Sequence, residues 1–252
     1  MSERLRLYSD LAGWWSLFSP PSHYVEEAAD LLPAMLAAPD AAPRTLLELG
    51  SGAGSLAYHL KSRLALTLTD RSPEMLDVSR AVNPECEHVP GDMRSLRLGR
   101  TFDLVLVHDA IMYAVDPASV RATLETARIH CRPGGAVMIV PDCVRETFES
   151  KTSVGGEDGP DGRALRYVEW HWDPDPADDT YETAWAFLLR AADGGVQLAS
   201  DRHRFGLFSR ASWLAWIEAA GFAASRRLDP WGRDVFCGRA RDDRLDSRAP
   251  SG

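Results

Sequence analysis

From Arg44 onward, short apolar runs alternate with amphipathic stretches, at the two spacings that distinguish buried strands from helices. TLLEL (45–49) reads as a strand, and a helix beginning near Gly54 carries Leu56, Ala57 and Leu60. ALTLT (65–69) is a second strand. Asp70-Arg71-Ser72-Pro73 then opens a helix, with Ser72 as N-cap and Pro73 at the first helical position. His88-Val89 marks a third, weaker strand, and DLVLVH (103–108) is a continuous apolar run of the kind buried in a parallel sheet. Asp116-Pro117 starts a helix expected to end at Arg132-Pro-Gly-Gly135, and AVMIVP follows as a fifth strand. Strands alternating with helices in this way predict an α/β fold with a doubly wound, mostly parallel sheet.

The flanks break that rhythm. An aromatic-rich segment, Tyr8 to Phe18, is interrupted by Ser19-Pro20-Pro21, and a helical pattern through Val25, Ala28, Ala29, Leu32 and Leu36 follows. After Pro141, residues 151–162 are rich in Gly, Asp and Pro and read as a mobile loop. Three alternating segments come next (164–172, 182–191 and 196–205), the last two joined by Asp193-Gly-Gly195, a hairpin signal. They predict a small antiparallel β insert after strand five. Ser209 caps a helix over 211–220 that stops at Gly221, and strands at 223–228 and 235–239 bring the sheet to seven. The organisation expected is a helical lid over 1–43, a core over 44–145, an insert on the substrate side over 146–207, the end of the core over 208–240, and a disordered polar tail over 241–252.

Charge and composition narrow the partners. A net charge of −9 over 252 residues argues against sequence-independent nucleic-acid binding and favours a small molecule. No apolar run is long enough to span a membrane, and MSERLRLYSD lacks the plan of a signal peptide, so a cytoplasmic protein is expected. Cys86, Cys131, Cys143 and Cys237 are scattered; they read as reduced thiols, without disulfides and without a metal site.

The candidate chemistry sits in LLELGSGAG (46–54). The dinucleotide fingerprint G-x-G-x-x-G, counted from Gly50, requires a third glycine at position 55, which is Ser55. The glycines instead follow E-x-G-x-G-x-G: Glu48, Gly50, Gly52 and Gly54. This resembles the first motif of the class I S-adenosylmethionine-dependent methyltransferases, and further elements follow in order. Asp70 ends the second strand, Gly91-Asp92-Met93 follows the third, FDLVLVHDAIMY has the form of the fourth-strand motif, and RPGG precedes strand five. The usual leucine before that signature is replaced by Cys131. The resemblance covers residues 44–141 and implies a Rossmann-like methyltransferase fold with S-adenosyl-L-methionine as cofactor. It implies that Glu48 answers the cofactor's ammonium group, Asp70 its ribose hydroxyls and Asp92 its adenine amino group. Gly50, Ser51, Gly52, Gly54, Arg71, Met75, Met93, His108, Tyr8 and Trp15 complete the expected contacts. For Gly54, a close helix–strand contact is an equal reading.

Beyond the core the layout resembles the small-molecule branch, amino-sugar N-methyltransferases and glycine N-methyltransferase among them. The expected partner is a small-molecule methyl acceptor with an N- or O-nucleophile, and the expected state is a monomer or homodimer. His108 and Asp109 close strand four at the carboxyl edge where open α/β sheets bind ligands, and with Tyr8 they are the catalytic candidates. Asp109 as a cap of the next turn is an equal reading. Tyr24, Tyr113, Glu169, His171 and Arg166 are candidates for binding the acceptor. In YVEWHWD (167–173), Glu169 and His171 share one strand face, while Val168, Trp170 and Trp172 share the other. The tryptophan face is expected to pack on the hairpin or the substrate mouth, leaving Glu169 and His171 to the acceptor or to solvent. Arg166, Arg202, His203 and Arg204 would suit an anionic acceptor. Three alternatives stay open: a carboxyl O-methyltransferase of the trans-aconitate type, an NAD-dependent oxidoreductase, and a non-catalytic regulator that binds the cofactor.

Overall fold

The computed structural model describes residues 5–241; the expected tail lies outside them, apart from Arg241. Its main sheet contains β1 (Thr45–Leu49), β2 (Ala65–Asp70), β3 (Glu87–Pro90), β4 (Phe102–His108), β5 (Cys131–Val140), β10 (Phe222–Leu228) and β11 (Asp234–Ala240), in the order β10-β11-β5-β4-β1-β2-β3. The first five strands pair in parallel, and β11 runs antiparallel to both β5 and β10. Strand alternation splits the apolar side chains between the two faces. Leu47, Leu49, Val105, Val107, Val137 and Ile139 face α5 (Pro117–His130) and α6 (Arg210–Ala219). Leu46, Leu66, Leu68, Leu104, Leu106 and Met138 face α2 (Val25–Ala37) and the single turn α3 (Ala57–Leu60). Covering both faces makes the strands read as unbroken apolar runs.

The caps fall where the sequence puts them. Ser72 accepts from the Met75 amide at the start of α4 (Pro73–Val82), Asp116 from Ser119 at α5, and Ser209 from Ser212 at α6. Two expectations change. Helix α5 stops at His130, and Arg132-Pro-Gly-Gly135 belongs to the strand side. Cys131 pairs with Phe102 before the register shifts to Leu104 and Ala136, so the PGG segment is a bulged entry to β5. Residues 151–162 are not all loop: β6 (Lys151–Gly155) pairs antiparallel with β7 (Ala164–Trp172). Thr152 and Val154 supply the β-branched alternation, and the turn glycines Gly156 and Gly162 lie beyond it.

With β8 (Thr180–Arg190) and β9 (Val196–Gly206), these strands form a second, four-stranded antiparallel sheet, β6-β7-β8-β9. Its inner face (Tyr181, Trp185, Phe187 and Phe205) is continuous with the core that covers β4 and β5. The tryptophan face of β7 is the outer one: Trp170 is 55% exposed and lies against Trp172 with ring centroids 4.9 Å apart, so it covers neither hairpin nor mouth. Glu169 and His171 therefore point inward. The N-terminal aromatic segment folds as two 3₁₀ turns (Arg6–Tyr8 and Ala12–Trp14) and the single turn α1 (Trp15–Phe18). It is stitched across both sheets: Ser72 Oγ donates to the Tyr8 carbonyl at 2.6 Å, Ser55 Oγ to the Ser19 carbonyl at 2.7 Å, and the Leu7 amide to Asp201 at 2.6 Å.

Candidate active site

The carboxyl ends of β1, β2, β4 and β5, the N-terminal segment and the inner face of the second sheet enclose a cleft of about 1290 Å³. Pockets for one drug-sized ligand are usually about 300–1,000 Å³, so this cleft has room for two sizeable ligands.

Its floor is the glycine loop. Gly50 sits at φ +77°, and a Cβ there would lie 2.3 Å from that of Ala110, so the loop passes hard against the turn after β4. The Gly50 and Ser51 amides both donate to the Thr69 carbonyl at 2.8 Å. The Gly52 amide donates to Asp70 Oδ2 at 2.9 Å, and the Ser72 amide to Oδ1 at 2.8 Å. Asp70 thus fixes the loop and the α4 cap while lining the cleft; burial raises its carboxyl above the ordinary value. Gly54 does not line the cleft. A Cβ there would meet Asn83 and Ser79 of α4 at 2.4 and 2.5 Å, and Asn83 donates to its carbonyl, so the close-packing reading holds geometrically. Met75 is fully buried beneath Gly52, also off the cleft wall.

Glu48 is 3% exposed, and burial pushes its carboxyl up to about 7, against the pull of His108. Its Oε2 has no hydrogen-bond partner, and the same is true of Ser51 Oγ, Trp15 Nε1 and Trp185 Nε1. All four residues line the cleft. Buried polar atoms are rarely left unpaired, so this concentration marks where a polar ligand supplies the missing partners. At the opposite end Asp92 lines the cleft beside Gly91, Met93 and Arg71, and Arg94 pairs with its carboxylate through two bonds of 2.9 and 2.6 Å. That ion pair holds the Asp92 carboxyl below its ordinary value.

The rest of the cleft holds two networks. In the first, His108 lies between Glu27 of α2, at 2.7 Å from Nε2, and Asp109, at 3.2 Å from Nδ1. Arg233, from the turn between β10 and β11, bridges Glu27, Asp109 and Asp229. Asp109 is the only non-glycine residue with positive φ (+49°) among the described residues, and it hydrogen-bonds Asp142 just beyond β5. Its side chain is 38% accessible, but only into the confined cleft; desolvation there and neighbouring Glu27 push its carboxyl up to about 6, against Arg233. Asp142 is raised as well, by desolvation and by Asp109. Two adjoining carboxyls of this kind favour holding one proton between them. No side-chain cap by Asp109 is seen in the turn that follows β4.

In the second network, the Tyr113 hydroxyl lies 2.9 Å from that of Tyr8 and 2.7 Å from His203 Nδ1, and His203 Nε2 lies 2.9 Å from Asp201 Oδ2. Glu169 and His171 line the cleft as a 3.1 Å pair, held by Ser153 and Thr183. Tyr24 lines it too, its hydroxyl on Ser19 at 2.8 Å. Arg166 does not reach the cleft. It shares the outer face of β7 with Val168 and Trp170 and pairs with Asp158 at 2.8 Å. Arg202 and Arg204 stand at the margin, already paired with Glu182 and Asp178.

Sequence reading did not single out Asp142, Glu27, Arg233 or Asp201, and it took His203 only as part of a basic cluster. Asp142 had a signal: the carboxyl-edge rule that marked His108 and Asp109 on β4 applies equally to the residues following β5. Glu27 and Arg233 had none, because they reach His108 and each other across 81 and 206 residues of chain.

Residues 46–135 match the model of the methyltransferase domain family. The chain is 28% identical to the dTDP-3-amino-3,6-dideoxy-alpha-D-glucopyranose N,N-dimethyltransferase of Streptomyces fradiae, over 85% of this chain and 84% of that one. It is 29% identical to the dTDP-3-amino-3,4,6-trideoxy-alpha-D-glucopyranose N,N-dimethyltransferase of Streptomyces venezuelae, over 85% and 90%. Among solved structures, DesVI of Streptomyces venezuelae superposes with a TM-score of 0.77 at 26% identity, covering 86% of this chain and 92% of that one. The S-adenosylmethionine-bound amino pentose methyltransferase CalS10 of Micromonospora echinaspora gives 0.72 at 25%, covering 86% and 91%.

Proposed function

We propose that the acceptor of this chain, a class I S-adenosylmethionine-dependent methyltransferase acting on a small molecule, is the amino group of a nucleotide-linked amino sugar. The relatives named for dTDP-amino-sugar N,N-dimethylation support this reading over most of the chain's length. The observation that carries it is the set of oxygens in the half of the cleft away from the glycine loop, where the carboxyl groups of Asp109, Asp142 and Glu169 line the wall and the nearby Arg202 and Arg204 are already ion-paired. Carboxyl oxygens accept hydrogen bonds from an amine or ammonium group, and the nearby arginines are already taken, which speaks against the trans-aconitate type of reaction.

Three of the four unpartnered atoms fit the cofactor; the fourth, Trp185 Nε1, lies on the inner face of the second sheet beside His203. Glu48 Oε2 and Ser51 Oγ would hold its amino-acid end, Asp70 the ribose hydroxyls, Asp92 the adenine amino group, and Trp15, Tyr8, Arg71 and Met93 would close around it. When bound, S-adenosylmethionine supplies a methyl group already activated by a sulfonium. The residues of this chain then have to hold the acceptor nitrogen in line, exclude water and receive a proton. The N-terminal segment, with Tyr8, Trp15 and Tyr24, serves as the lid that excludes water, and His108, between Glu27 and Asp109, holds the floor rigid. The protein acts in the cytoplasm, as a monomer or homodimer and without a nucleic-acid partner. Its cysteines are unpaired, its net charge is −9, and among the described residues no helix is long and apolar enough to cross a membrane.

The test is turnover of dTDP-3-amino-3,6-dideoxy-α-D-glucopyranose in the presence of S-adenosylmethionine, followed by release of S-adenosylhomocysteine. Turnover of trans-aconitate with none of the amino sugar would refute the assignment.

A further inference from the structure

We propose that Tyr8, Tyr113 and His203 form a proton relay that takes the proton from the acceptor's ammonium group, with Asp201 as the positioning residue behind it. The proposal rests on the amino-group reading above.

The four groups come from three places in the chain and meet in one continuous line. Tyr8 belongs to the lid, Tyr113 to the turn after β4, and His203 and Asp201 to β9 of the second sheet. Successive separations of 2.9, 2.7 and 2.9 Å are all hydrogen-bonding distances. The rings cannot drift. Tyr8 packs on Tyr113 at 5.7 Å and on His203 at 5.6 Å, Tyr113 on Phe205 at 4.9 Å, and Trp185 against His203 at 4.7 Å. The His203 side chain is fully buried, where a histidine serving only as packing would not need a carboxylate. Asp201 Oδ2 receives both His203 Nε2 and the Leu7 amide, so it ties the histidine's orientation to the lid. A carboxylate on Nε2 leaves Nδ1 free to take a proton from Tyr113, the division of roles seen in histidine bases generally.

The transfer balances. The ammonium proton passes to the Tyr8 oxygen, the Tyr8 proton to Tyr113, and the Tyr113 proton to His203 Nδ1, leaving an imidazolium against the Asp201 carboxylate. In that state Tyr113 donates to Tyr8, the direction found in the structure. The freed nitrogen lone pair forms the N–C bond as the S–C bond breaks, its electron pair staying on sulfur. Once the methylated amine has moved away, the His203 Nδ1 proton returns through Tyr113 and Tyr8 to water, which restores Nδ1 as the acceptor while Asp201 keeps the Nε2 proton in place. One proton leaves per methyl transferred, so the relay resets the secondary ammonium for a second transfer. The groups facing His203 are Tyr113 and Tyr8, Asp201 on its own strand, and Thr183 and Trp185 of β8; Asp70, Asp109 and Asp142 act on the Tyr8 hydroxyl through space.

Tyr113→Phe keeps the ring and removes the middle link, and His203→Gln keeps two hydrogen-bonding ends but cannot carry a proton. With dTDP-3-amino-3,6-dideoxy-α-D-glucopyranose as acceptor, kcat of each variant should fall by roughly 100-fold near neutral pH. KM and the affinity for S-adenosylhomocysteine should change little. The deficit should close as pH rises above the acceptor's own pKa, because solution then removes the proton. A deficit equal at every pH, which a packing defect would give, overturns the relay, as does undiminished kcat in Tyr113→Phe. Turnover by the parent protein separates the two readings: a parent that methylates the sugar while the variants match it refutes the relay alone, and a parent inert toward it refutes both.

Discussion

Replacing Glu48 by glutamine probes the cofactor end of the cleft, because Glu48 pairs deep burial with an oxygen that has no partner. Burial places its carboxyl at about 7, so in the ligand-free protein it is largely protonated in mildly acidic solution. A ligand ammonium needs the ionised form. Two pH units below that value only about 1% of the sites are ionised, so affinity should fall about tenfold per unit, near 1.4 kcal/mol each. Titration calorimetry with S-adenosylhomocysteine, which carries the same amino-acid end, should show binding tightening from pH 5 to about 7 and then levelling. A proton should be released on binding, seen as a heat that depends on the buffer. Glu48→Gln should flatten the profile and weaken binding above pH 7 by roughly 10–100-fold, the worth of a charge-assisted hydrogen bond. The sign for stability is opposite. A folded-state value raised above the ordinary 4.5 means that the folded protein binds its proton more tightly, so ligand-free stability falls as pH rises from 4.5 to about 7. Affinity constant over this range, or a slope that survives in Glu48→Gln, would refute the assignment of the ammonium to Glu48.

Arg233→Ala leaves Glu27, Asp109 and Asp229 without their common cation and should cost about 3–5 kcal/mol in thermal or denaturant unfolding, as for other broken buried pairs. Gly54→Ala places a side chain at φ +70° against Asn83 and Ser79 and should cost more than about 1 kcal/mol. Affinity for S-adenosylhomocysteine in the fraction that stays folded should be little altered, since Gly54 does not line the cleft.

The sheet was legible because its strands are buried on both faces and bounded by cap residues that act locally: Ser72, Asp116 and Ser209 each hold a helix start within three residues of themselves. The part of the cleft proposed for the cofactor was legible as a cluster for the same reason, Glu48, Gly50, Gly52, Asp70 and Asp92 being set by strand ends close in sequence. The rest of the cleft was less so. Alternation along β7 separated Glu169 and His171 from Trp170, but which face met the core depended on the whole second sheet, and Arg166 went outward with the tryptophans. Strand β6 hid in a segment whose other glycines and aspartates, from Gly156 onward, belong to the turn after it. The relay and the Arg233 cluster join residues up to 206 positions apart, and no local pattern encodes such a meeting.

The most direct measurement is the product itself. Incubated with dTDP-3-amino-3,6-dideoxy-α-D-glucopyranose and a donor carrying an isotope-labelled methyl group, the protein should yield sugar whose label resides on the amino nitrogen by NMR, with mono- and dimethylated forms by mass spectrometry. Label on a sugar or nucleotide oxygen, or none on the sugar while S-adenosylmethionine is bound, would contradict the account.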